Sequence, residues 1–189
     1  MITKEETLFS AVTRGDLSAV LSCTDELRKS EKVCNTLLSI NPCCFCFFDN
    51  ALKDNKKVAM LAVRLNGRNL GYVSDRLSDD EDVVSSAVSE NPASLTYASG
   101  RLKDNYGTAL FAVKSGGRAY QYVSKRLKRD KIITLTAVSN YGMAYRFVPE
   151  ELSTDMDIVK TAIKNDRRVY EYLPDIVLDE FTKILLACS

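Results

Sequence analysis

Histidine is absent from all 189 residues, and with it goes the side chain that most often serves as general base, metal ligand or triad member. Carboxylate and lysine chemistry survive that absence, but no nucleophile-and-base constellation stands out. The expectation is a non-enzymatic protein with no catalytic residues. Excess charge of one sign is missing as well. Lys plus Arg at 26 against Asp plus Glu at 25 leaves a net charge of +1, which supplies no global field to steer anionic partners. Long hydrophobic runs are also lacking. The most apolar stretch, Val33 to Phe48, is interrupted by Asn35, Ser39, Asn41 and Pro42 and is too short to cross a bilayer as a helix. The opening Met1-Ile2-Thr3-Lys4-Glu5-Glu6 places acids where a secretory signal needs a basic start and an apolar run. Neither export nor membrane insertion is expected, and the predicted location is cytoplasmic.

A disulfide framework is not written into the chain either. Six cysteines, at 23, 34, 43, 44, 46 and 188, share no repeating spacing, and a chain of this length can bury a core without them. They read as reduced thiols. Cys43-Cys44-Phe45-Cys46, with Cys34 nearby, is the one group with metal-ligand residue types. Structural zinc wants four ligands at spacings such as C-x-x-C, and adjacent cysteines on a helix do not converge. Small, mostly buried thiols are the expectation, with no metal and no cofactor.

What the chain does contain is one 25-residue sentence written repeatedly. Asp54 is answered by Asp79 and Asp104, Ala62 by Ala87, Ala112, Ala137 and Ala162, and Leu77 by Leu52, Leu102, Leu127 and Leu152. Self-similarity at such a period marks a repeat architecture, in which a supersecondary unit buries its apolar face against copies of itself. The predicted fold is all-α, an α-solenoid of about seven two-helix repeats forming one continuous domain over residues 1–189. Residues 1–28 make an opening cap, with a hairpin around Gly15-Asp16. Residues 29–178 make the repeats, and 179–189, with Asp179 capping Glu180 to Cys188, make a closing helix.

Within one copy, Val58, Leu61, Ala62 and Leu65 fall at helical spacing. Asp54, Asp79, Asp104 and Thr154 stand where N-caps are expected, and Thr154 with Asp157 resembles a capping box. Gly67, Gly117 and Gly142 end the segment as C-terminal glycines do. The recurrent alanine allows close approach of the next helix. A second buried helix carries Leu70, Tyr72 and Val73, so the ladder Phe47, Tyr72, Tyr97, Tyr122, Phe147 and Tyr172 is expected to fill the stack. Thr24, Asp49, Ser74, Ser99, Ser124, Pro149 and Pro174 then restart a short turn whose leucine plugs back into the core.

These residues resemble the repeats of the Domain of Unknown Function 4116 family. Asp79, Val83, Val84, Ala87, Val88, Asn91, Leu95, Tyr97, Ala98, Ser99, Leu102 and Asp104 carry the likeness, which extends over roughly residues 30–178. Leu37 in place of the alanine, Phe47 and Phe48 in place of Tyr-Ala, and Pro149 and Pro174 in place of serine depart from it. The resemblance implies an all-helical repeat fold and implies no chemistry.

Charge is the least repetitive feature, and in solenoids the varied exposed positions are where partners are read. Residues 75–90 hold six acids and one base, whereas 114–131 hold seven bases and one acid. The run Asp79-Asp80-Glu81-Asp82 falls at a helix start, where carboxylates cap amides. A double-period pattern places Arg64, Lys114 and Lys164, with Arg68, Arg118 and Arg168, in alternate copies. Solvation explains such faces, and so does a partner. The reading is a module that binds another protein, acidic in character, through those six residues. The alternative is nucleic-acid binding through the basic 114–131 region, which the near-zero net charge disfavours.

Overall fold

The computed structural model describes residues 2–179. Regular structure among them is helical, apart from an isolated β-bridge between Ile2 and Cys23. The chain divides into two compact units, Met1–Ser99 and Gly100–Ser189.

The first unit opens with α1 (Glu5–Thr13), α2 (Ala19–Ser22) and α3 (Asp25–Lys29). Gly15, with φ of 90°, turns the chain between α1 and α2 in the left-handed region that favours glycine. α1 and α2 pack against one another across this turn. The cycle then begins: α4 (Glu31–Ile40), the 3-10 helix Pro42–Phe47, α5 (Asn50–Lys53); α6 (Lys56–Leu65), the 3-10 helix Gly67–Tyr72, α7 (Asp75–Ser78); α8 (Glu81–Glu90), the 3-10 helix Pro92–Tyr97. α6 packs between α4 and α8, and α4 also meets α1.

The second unit continues the same cycle: α9 (Gly100–Lys103); α10 (Tyr106–Ser115), the 3-10 helix Gly117–Tyr122, a 3-10 turn Leu127–Arg129; α11 (Lys131–Asn140), the 3-10 helix Gly142–Phe147, α12 (Glu150–Ser153); α13 (Met156–Asn165), the 3-10 helix Arg167–Tyr172. α11 packs between α10 and α13. The expected closing helix, Glu180 to Cys188, lies outside the described residues.

The long helices begin every 25 residues and run for 10, as the period requires. Their buried stripe is Val58, Ala59, Ala62 and Val63 in α6, and Val83, Val84, Ala87 and Val88 in α8. Leu65, expected inward, is 42% exposed. The alanines at 62, 87, 112, 137 and 162 are completely buried, as expected for a position of close approach. Leu52, Leu77, Leu102 and Leu127 plug into the core from the short turns, while Leu152 is half-buried.

Three local assignments change. The long helices are capped one residue later than expected. Asn55, Asp80, Asn105, Asp130 and Asp155 accept from the first-turn amides, as with Asp155 Oδ1 from Asp157 N at 3.0 Å. Asp54 and Thr154 instead close the preceding short helix, so the Thr154 capping box is not formed. The carboxylates at 54, 79 and 104 accept from the Ser74, Ser99 and Ser124 hydroxyls of the next copy. The signature Asp is thus a clamp between copies, not a cap.

The glycines change role too. Gly67, Gly117 and Gly142 do not sit in the left-handed region; each is the first residue of a 3-10 helix. A Cβ on Gly142 would stand 2.6 Å from the Ala162 carbonyl oxygen, and the others meet the Ala87 and Ala137 carbonyls in the same way. They are glycine because the next long helix runs against them.

The second helix is 3-10 rather than α. Side chains three apart eclipse in that geometry, which turns Leu70, Leu95, Tyr120 and Tyr145 fully inward with Ala98 and Val123. Tyr72, Tyr97, Phe147 and Tyr172 are turned out, at 50%, 44%, 39% and 39% exposure. Phe47 and Tyr122 are half-buried, so no member of the aromatic ladder is core filling.

Candidate interaction surface

The six basic residues do not share one cleft. Arg64, on α6, lines a groove against α8 with Met60, Ser85, Ser86 and Ser89. Lys164, on α13, lines another with Ser139, Thr161 and Asn165. Lys114 is exposed on α10 and Arg68 on the 3-10 helix that follows α6. Arg118 and Arg168 hold equivalent places in 3-10 helices but differ in partner. Arg168 Nη2 lies 2.7 Å from Asp166 Oδ2, whereas Arg118 lies over the Tyr141 ring at 5.0 Å. Among the described residues, no carboxylate lies within 4.0 Å of Arg64, Arg68, Lys114, Arg118 or Lys164.

Much of the remaining charge is spent between copies. Lys56 reaches Asp80 and Asp82, both at 2.8 Å, and Lys131 reaches Asp155 at 2.8 Å and Asp157 at 2.7 Å. The acidic run at 79–82 therefore caps α8, clamps Ser99 and receives Lys56. Arg76 joins Asp54, Arg126 joins Asp104 and Arg129 joins Glu151. The Ser74 hydroxyl, and then Arg76, hold Asp54 below the usual carboxylate range; Ser124 and Arg126 do the same to Asp104, and Lys131 to Asp155. Lys128 donates to the Gln121 carbonyl at 2.8 Å and lies 5.7 Å from the Phe147 and Tyr120 rings; burial pushes its pKa down. Of the seven bases in 114–131, four are thus engaged within the fold.

Tyr97, Phe147 and Tyr172 each meet a residue of the preceding copy. The Tyr97 ring stands 2.9 Å from where a Cβ on Gly71 would be, and Arg146 sits over the Tyr172 ring at 4.8 Å. Between the 3-10 helices Gly117–Tyr122 and Gly142–Phe147 this surface opens into a cleft of about 310 Å³, lined by Arg118, Gln121, Tyr141, Met143, Arg146 and Phe147 among others.

A family model described as Domain of unknown function (DUF4116) matches residues 55–103, 105–153 and 130–178. The chain belongs to the DUF4116 family. Each match spans two of the 25-residue cycles, and the last two are offset by one cycle. No curated protein and no solved structure matches the chain.

Within these DUF4116 copies the sequence reading missed the residue before each 3-10 helix. Asn41, Asn66, Asn91 and Asp166 each accept from the amide two residues on, at 3.0–3.1 Å. Three asparagines at an interval of 25 were the available signal. Gly116 and Tyr141 break it, and the two 3-10 helices they precede have no side-chain cap. These are the two that form the cleft.

The cysteines follow their places in the repeat. Cys23, Cys34 and Cys44 are buried, Cys46 is half-buried and Cys43 exposed; Cys188 lies outside the described residues. All five are unpaired. Burial pushes Cys34 up to about 12 and Cys44 to about 11. No group of three or more Cys, Asp and Glu among the described residues is arranged to hold a metal ion. No helix among them is long and apolar enough to cross a membrane.

Proposed function

We propose that this DUF4116 chain is a non-enzymatic protein-interaction module whose partner is acidic. One observation carries the reading. The residues that recur from copy to copy are consumed by capping, clamping and packing, while Arg64, Arg68, Lys114, Arg118 and Lys164 stand exposed without a carboxylate. Unpaired exposed cations on repeat units provide charge complementarity, which sets partner choice and association rate. Arg168 is the weakest member of the original set, because Asp166 already neutralises it.

The test is a pull-down from lysate on the immobilised chain, compared with Lys114→Glu and Lys164→Glu variants. A specifically retained acidic protein that both variants release is the expected result. Retention unaltered by either substitution would refute the assignment of the surface. Nucleic-acid binding through 114–131 has less support, since Arg126, Arg129 and Lys131 are already ion-paired. It requires a low-salt gel shift that weakens steeply as salt rises.

A further inference from the structure

We infer that the cleft between the 3-10 helices Gly117–Tyr122 and Gly142–Phe147 is a binding site for a phosphorylated side chain of the partner protein, held by Arg118 and Arg146. The inference rests on the reading of the chain as a module for an acidic protein partner, and it names the group recognised.

Two cations line this cleft and no carboxylate does. Neither Arg118 nor Arg146 has a carboxylate within 4.0 Å among the described residues. Each guanidinium lies over an aromatic ring, Arg118 over Tyr141 at 5.0 Å and Arg146 over Tyr172 at 4.8 Å. A guanidinium held over a ring face keeps N–H donors that can reach an oxyanion.

The departures from the repeat coincide at this spot. Tyr141 stands where other copies place an Asn or Asp cap, and the 3-10 helix it precedes goes without one. Arg146 stands where other copies have Gly71, Thr96 and Gln121. Both assemble the cleft.

Donor count and charge then select the ligand. One guanidinium fork suffices for a carboxylate, whereas two forks match the three oxygens and near double charge of a phosphate monoester. The volume of about 310 Å³ exceeds that of a free oxyanion, and Met143 with the partly exposed Phe147 gives the remainder an apolar wall. That wall fits the stem of a side chain.

Phenyl phosphate is the probe, titrated at low ionic strength into the isotopically labelled chain while the arginine Nε–H resonances are followed. Saturable shifts of Arg118 and Arg146 are expected, with affinity falling about tenfold in Arg118→Gln and in Arg146→Gln and unchanged in Lys160→Gln, a substitution of an exposed base outside the proposed surface. Thermal melts of the variants matching the parent confirm that folding is retained. Absence of saturation, equal affinity for benzoate, or equal competition by a phosphodiester oligonucleotide would each overturn the site. The probe is independent of any partner. A failed pull-down with successful titration sinks only the partner reading, and the reverse sinks only the cleft.

Discussion

Replacing Gly142 with alanine isolates the close approach on which the stacking depends. The glycine does not occupy positive φ, so the substitution carries no backbone strain. Taken alone it would stabilise by about 0.4–1 kcal/mol through the unfolded chain. The new Cβ, however, would sit 2.6 Å from the Ala162 carbonyl and 2.9 Å from both Cβ and N of Asp166. Ordinary contact begins at 3.4 Å, so the carbonyl is about 0.8 Å too near (3.4 − 2.6). That oxygen cannot swing away cheaply, because it accepts from Asp166 N at 2.8 Å and belongs to a fully buried residue of α13. Overpacking of this kind costs about 1–3 kcal/mol, which outweighs the gain. Central values leave a net destabilisation of about 1 kcal/mol, which corresponds to a melting point lower by roughly 2–4 °C. Gly100→Ala is the matched control. It also lacks positive φ and has no atom within 4 Å of the new methyl, so it should gain about 0.4–1 kcal/mol. Calorimetry or chemical denaturation must therefore rank Gly142→Ala below the parent and Gly100→Ala above it. A Gly142→Ala variant as stable as the parent would refute the close-approach account.

Stability against pH should show a wide plateau. With no histidine, no side chain with an ordinary pKa titrates between about pH 5 and 8. Asp54, Asp104 and Asp155 have depressed folded values, so their contribution is complete above the unfolded value near 3.9 and is lost as pH falls through the folded one. Cys34 and Cys44, raised to about 12 and 11, favour the fold below the unfolded thiol value near 8.5 and lose that contribution as pH climbs towards the folded one. Melting points should be level from about pH 5 to 8 and drop on either side; a transition near pH 6.5 would contradict this. Brief maleimide treatment of the native protein should label Cys43 first and spare Cys23, Cys34 and Cys44, read by peptide mass spectrometry; rapid labelling of Cys34 would refute its burial. Ser124→Ala removes both the turn cap on Leu127 N and the donor to Asp104, and should cost about 1 kcal/mol. Asp104→Asn should then matter less in that background than in the parent, and strict additivity would rule out the clamp.

The architecture was legible because the repeat writes each packing position several times. An alanine at 62, 87, 112, 137 and 162 has only one physical reading, close approach, and all five are buried. The cap register was not legible, since Asp54-Asn55, Asp79-Asp80 and Asp104-Asn105 each offer two capping residues side by side. Choosing between them requires the serine of the next copy, twenty residues away, which is a tertiary fact. Glycine at 67, 117 and 142 was ambiguous for the same reason, because a C-cap and a close approach both select it. The aromatic ladder was misplaced by a period. Tyr72 and Val73 are neighbours and share no face, whereas the three-residue repeat of a 3-10 helix aligns Leu70 with Val73 and leaves Tyr72 outward.

Surface chemistry was the least legible part, because charge in this fold is cancelled between copies. Arg118 and Arg168 occupy the same place in the repeat, yet one is neutralised and the other is not. The residue two positions earlier decides: Asp166 pairs with Arg168, whereas Gly116 offers Arg118 nothing and the ring of Tyr141 supports it instead. A list of basic residues at one repeat position therefore overstates the available surface. The information lies in combinations of positions, within a copy and across to the next. By that criterion the cleft of Arg118 and Arg146 stands out from the rest of the described surface, since it joins two unpaired guanidiniums, two lost caps and two supporting rings.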